Sequence, residues 1–128
     1  MAKFRIGAWG VAAALLLTGC GDNSPVVSGE VRAAGSSHSL SERQLTSLNA
    51  WLGDHRSGWG LVLATPPNSD LWVVVKRADG KSGNLFFYSQ EGWKGALTYF
   101  GSDAKENEQG SFPIDQVRAL RDVLASTQ

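Results

Sequence analysis

The sequence predicts a small α+β domain: an N-terminal helix, a four-stranded antiparallel meander and a C-terminal helix, with the helices packed on the sheet. Three observations carry that expectation. A capping pattern at residues 40–45 opens an apolar stripe; the apolar period falls to two across 59–100, with short turn signals in between; and a second stripe at helical spacing follows Pro113.

Leu40-Ser41-Glu42-Arg43-Gln44-Leu45 has the form of a helix start. Ser41 can cap while Gln44, three residues on, reaches back, and Leu40 and Leu45 take the two positions of a hydrophobic staple. Leu45, Leu48 and Leu52, with Trp51 beside them, continue one face, which places the helix over residues 42–55 with a stop near Gly58. Residues 59–64 then read as the first strand, broken by Thr65-Pro66-Pro67-Asn68-Ser69, because consecutive prolines cannot sit in a sheet interior. Residues 71–77, 84–89 and 93–100 supply the other three, turned at Asp79-Gly80 and Glu91-Gly92, and connections this short favour antiparallel neighbours. The polar run 101–110 is expected to be a mobile surface loop. Pro113 suits the first turn of the second helix, along which Ile114, Val117, Leu120 and Leu124 form a stripe while Arg118, Arg121 and Asp122 face water. Both helices are expected on one face of the sheet, with opposite faces as the alternative.

Alternation sorts the strand residues into two sets. Leu71, Val73, Val75, Leu85, Phe87, Leu97 and Tyr99 are the natural core face. The other set holds Trp72, Val74, Lys76, Asn84, Phe86, Tyr88, Lys94, Ala96, Thr98 and Phe100, aromatic bulk interleaved with lysine. If both helices take the first set, the second becomes an exposed aromatic face suited to a partner, with Trp72, Phe86, Tyr88, Lys94 and Phe100 as its candidate contact residues. The competing reading covers those rings with a helix, the preceding segment or the 101–110 loop, since a small sheet gains from shielding both faces.

Chemistry is poorly represented. Trp51, Asp54, His55, Arg56 and Trp59 gather at the helix-to-strand junction, where cations near the negative pole of a helix are a structural arrangement far more often than a catalytic one. His38 stands among Ser36, Ser37 and Ser39, but a triad needs a base and an orienting group held by rigid structure. The two histidines form no spaced ligand cluster for zinc, and Asp103, Glu106 and Glu108 lack the spacing of a calcium loop. No glycine-rich phosphate loop follows a strand, so neither a cofactor nor a metal is expected.

The N-terminal segment carries the most specific signal. Lys3 and Arg5 precede an apolar run of 12 residues, 6–17, which ends in Leu17-Thr18-Gly19-Cys20, the protein's single cysteine. The charged, apolar, small-residue order is that of an export signal, and the run is shorter than the roughly 20 residues needed to span a bilayer. Leu17-Thr18-Gly19-Cys20 resembles the lipobox of bacterial lipoproteins, and the resemblance covers residues 1–21 only. It implies removal of residues 1–19, a lipid thioether on Cys20 and acylation of its amine, so that several chains anchor the protein without a membrane helix. Gly21, where such proteins retained at the inner membrane commonly carry aspartate, favours the inner leaflet of the outer membrane facing the periplasm. An ordinary secretory signal with an incidental cysteine is the rival. Residues 20–39 are expected to be a tether, whose coil-like reach would average about 25 Å, with a short edge strand at 26–31 as the alternative.

Without residues 1–19, 10 basic side chains face 12 acidic ones, a formal net of −2 that gives no electrostatic case for nucleic acid. With Cys20 lipidated no disulfide is possible, and the 89 residues from Leu40 onward must hold by their core alone. The combined expectation is a lipid-anchored, periplasm-facing binding or inhibitor module, immunity-like in that it occupies a protein partner and carries out no turnover. An accessory structural lipoprotein of an envelope assembly or secretion complex is the second reading, and a small envelope hydrolase the third.

Overall fold

The structure, a computed structural model, describes residues 24–126. It corrects the four-stranded meander: the chain forms one seven-stranded antiparallel sheet with two helices. The strands are β1 (Val26–Ala33), β2 (Ser36–Ser39), β3 (Trp59–Gly60), β4 (Leu71–Arg77), β5 (Ser82–Phe87), β6 (Ala96–Gly101) and β7 (Glu108–Ser111); the helices are α1 (Glu42–Asp54) and α2 (Ile114–Ala125). In space the order is β2-β1-β4-β5-β6-β7-β3. The expected three-strand centre, β4 to β6, survives as consecutive hairpins, and the sheet is extended on both sides by segments that carry little apolar signal.

On one side, residues 26–39 are a hairpin where a tether was expected. β1 pairs with β4 from Val26 opposite Arg77 to Ala33 opposite Leu71, with a register shift between Val26 and Ser28. That bulge breaks the alternation, so buried Val26 and Val31 fall five positions apart and the period-two signature is lost. β2 is all serine and histidine, and it joins through backbone pairing that needs no apolar side chain. The domain therefore begins well before Leu40. On the other side, the expected 101–110 loop contains a short 3-10 turn at Ala104–Glu106 and then β7, which pairs with β6. Only Trp59 and Gly60 of the expected 59–64 strand pair, against Gly110 and Gln109 of β7. Beyond them Leu61 and Leu63 are 77% and 87% exposed.

Both helices lie over the same face. Leu48 of α1 and Val117, Leu120 and Leu124 of α2 pack with Leu71, Val73, Val75, Leu85, Phe87, Leu97 and Tyr99 in one core, to which β1 adds Val26 and Val31. Gly83, in register with Val75 and Gly101, leaves the space that the Tyr99 ring fills; a Cβ there would stand 2.2 Å from the Tyr99 hydroxyl. The expected capping box is present, with Gln44 N donating to Ser41 Oγ at 3.1 Å and Ser41 N to Gln44 Oε1 at 2.9 Å. Gln44 also serves the second helix. Its Nε2 donates to the carbonyls of Val123 at 2.9 Å and Ser126 at 2.7 Å, so one amide, 3% exposed, closes the start of α1 and the end of α2 together. Two details of the expected second helix change: Ile114 is exposed in its first turn, and Arg121 pairs with Asp70 instead of facing water alone.

Candidate functional site: the open sheet face

Residues of the central strands that point away from the helices form a surface that no helix covers among the described residues. Trp72 on β4 stands opposite Phe86 on β5, and Phe86 opposite Thr98 on β6. Phe100, opposite Asn84, is the diagonal neighbour of Phe86. The Trp72 and Phe86 rings lie 6.2 Å apart at 29°, and Phe86 meets Phe100 edge-on at 5.6 Å. Half-buried Trp72, Phe86 and Phe100 thus make a continuous ridge across three strands. Arg32 of β1 continues the row beside Trp72, held in an ion pair with Glu30 two residues earlier.

Two of the five expected contact residues sit elsewhere. Tyr88, just past β5, is 5% exposed; its hydroxyl shares a hydrogen bond with Thr98 Oγ1 at 2.6 Å, and its ring is met edge-on by Trp93. Burial pushes the Tyr88 phenol above its usual range, with the Thr98 bond opposing the shift. Lys94 lies in the turn before β6, exposed and 3.7 Å from Glu91. Trp93 was not singled out in the sequence because strict alternation from β6 puts it on the core face, whereas the strand starts only at Ala96. Trp72, Phe86 and Phe100 are brought together, Tyr88 is buried against Thr98 and Trp93, and Lys94 is paired with Glu91 in the turn.

The junction residues form a packed aromatic box. His55 stacks on Trp51 at 3.7 Å, and Phe112 meets Trp51, His55 and Trp59 at 5.2–5.5 Å. The His55 Nδ1–H donates to the Trp51 carbonyl at 2.7 Å, Nε2 meets the Gln116 side-chain amide at 2.7 Å, and Trp59 Nε1 donates to the His55 carbonyl at 2.7 Å. Both ring nitrogens are engaged, Nδ1 with the last turn of α1 and Nε2 with α2, which leaves this histidine a structural post. His38 is not in a tether: it lies on β2, and its Nε2–H donates to the Leu124 carbonyl at 3.1 Å. Among the described residues no group of three or more His, Cys, Asp or Glu side chains could hold a metal ion, and no helix is long and apolar enough to cross a membrane. Cys20 lies outside the described residues.

A second concavity was invisible in the sequence. Between α1 and the β1, β4 to β7 end of the core face lies a cavity of about 400 Å³. Buried Val26, Leu48, Val75, Leu85 and Tyr99 line its interior, while exposed Arg56 and half-buried Asn49, Arg77 and Glu108 stand at its rim. The Arg77 guanidinium sits 4.8 Å over the Tyr99 ring; burial raises the Tyr99 phenol above its usual range and the Arg77 charge opposes this. These residues come from five strands and a helix, so no local spacing announces them.

The fold and the open face define a small α+β domain with an aromatic ridge as its most distinctive surface. Compared with known proteins, the chain matches no family model, no curated protein and no solved structure.

Proposed function

We propose that this chain is a lipid-anchored binding module that faces the periplasm and acts by contact, seating an apolar patch of a protein partner on the Trp72-Phe86-Phe100 ridge. The observation that supports it best is the ridge itself: three large rings joined in a row through Phe86 on a sheet face to which neither helix is applied. Aromatic side chains are the residues that carry binding energy at protein interfaces, because they bury much area for few rotatable bonds. Attachment through Cys20 would confine the domain to the membrane surface and raise its effective concentration for partners held there.

The test is crosslinking and affinity capture from detergent-solubilised envelopes, with the full chain as bait and Trp72→Ala with Phe100→Ala as the variant. The proposal expects a specific partner that the double variant loses while its unfolding transition stays cooperative. Capture that is indifferent to both substitutions excludes the ridge. A soluble hydrolase or toxin as partner points to inhibition, and a membrane complex to an accessory role. Mass spectrometry finding Cys20 unmodified in a soluble mature protein would remove the anchor.

A further inference from the structure

Close-packed interiors leave few voids larger than a water molecule, yet here five core side chains, each under a tenth exposed, line an opening of about 400 Å³. That volume falls within the range of about 300–1,000 Å³ typical of small-molecule sites. Its chemistry is graded. The interior is aliphatic with one tyrosine ring, a surface that gains from contact with apolar ligand atoms. Polar groups gather at the rim, but three of them are already committed: Asn49 exchanges hydrogen bonds with the Val26 backbone at 2.9 Å in both directions, Arg77 lies over Tyr99, and Glu108 has a partner of its own. Exposed Arg56 remains to meet a ligand's polar end.

We propose that this cavity receives a single fatty-acyl chain, methylenes against Leu48, Val75 and Leu85 and the carbonyl or carboxylate end toward Arg56. Two sources share that chemistry, a membrane-derived lipid or fatty acid and an acyl chain of Cys20 itself. The second is within reach by length alone, because Ser24 and Pro25 line the cavity and the four residue steps from Cys20 to Ser24 span at most about 14 Å. That source rests on the lipidation proposed above, whereas the cavity assignment does not. An occupied cavity would couple lipid to the covered side of the sheet, leaving the aromatic ridge free.

The experiment grows cells expressing the full chain on a palmitate analogue bearing a diazirine, irradiates them and maps crosslinks by mass spectrometry. The proposal expects crosslinks on peptides containing Leu48, Leu52, Val75 or Leu85. A bridge from the Cys20 peptide identifies the chain's own lipid, and a fatty-acid adduct without Cys20 identifies an external one. Leu52→Trp, which narrows the space from a half-buried helix position, should cut these crosslinks at least tenfold without altering the thermal transition. Arg56→Glu should cut the external adduct severalfold. The absence of crosslinks on those peptides, or crosslinks that Leu52→Trp leaves unchanged in a folded protein, would overturn it. The Cys20 mass read in the same sample shows separately whether lipidation itself has failed.

Discussion

Phe86 and Phe87 are neighbours on β5, the same side chain on opposite sides of one sheet. Phe87 is 0% exposed among Val73, Leu97 and the two helices, whereas Phe86 is half-buried between Trp72 and Phe100 with no helix above it. One residue of strand separates a core position from a surface one, because side chains of a strand alternate between faces. The contrast teaches that this domain stabilises itself from one side. The covered face has layers of aliphatic packing and the helix-to-helix link through Gln44, while the open face has ring-to-ring contact, the Tyr88–Thr98 bond and the exposed Arg32–Glu30 ion pair.

Variants that disturb each face should separate by size. Among the polar contacts the largest effect is expected from Gln44→Glu, which removes the amide donor and sets a carboxylate against the last carbonyls of α2, at the negative pole of that helix. A loss of about 2–4 kcal/mol, measured by urea unfolding, is expected. A loss under half a kcal/mol would mean that the covered face does not depend on that junction. Thr98→Val keeps the shape of a fully buried residue but strips the partner from the Tyr88 hydroxyl, and should cost about 1–2 kcal/mol. The same measurement at alkaline pH sharpens this. Because burial raises the folded pKa of Tyr88 and Tyr99, the unfolded chain loses those protons first, so wild-type stability falls as pH rises through the usual tyrosine range. Trp72→Ala should cost about 1 kcal/mol, the scale of a cross-strand aromatic pair, yet abolish partner capture. If it unfolds the protein instead, the ridge is core.

The smallest effect concerns Asp70 and Arg121. The hydrogen bond and charge of Arg121 lower the Asp70 pKa below its ordinary 3.8 against a smaller opposing effect of burial. The pair therefore adds stability above the unfolded pKa, and the addition is lost as pH falls through the lower folded value. With side chains 42% and 27% exposed it is worth at most a few tenths of a kcal/mol, and Arg121→Ala should shrink the stability gap between pH 6 and pH 3 by that amount.

Legibility in the sequence followed the same division. Strand β4, both helices, the capping box and the seven core-face residues of the central strands were readable, since apolar alternation and helical stripes report burial directly. What escaped was held by backbone alone or by a broken period. Ser36 to Ser39 pair without an apolar residue, Glu108 to Ser111 read as polar loop, and the bulge at Val27 hid the spacing of Val26 and Val31. At the candidate site, alternation identified Trp72, Phe86 and Phe100 because they lie in regular strand. It misjudged Lys94 and passed over Trp93, because both occupy the turn before β6. The cavity residues converge from distant segments, and nothing in a single linear pattern could assemble them.

Side-by-side urea unfolding of Phe86→Ala and Phe87→Ala tests the one-sided domain most directly. Phe87→Ala should lose about 3–5 kcal/mol, as fully buried aromatic truncations do, and Phe86→Ala about 1–2 kcal/mol with an unchanged denaturant slope. Equal losses would contradict the account, because the aromatic face would then be as much a part of the core as the side that carries the helices.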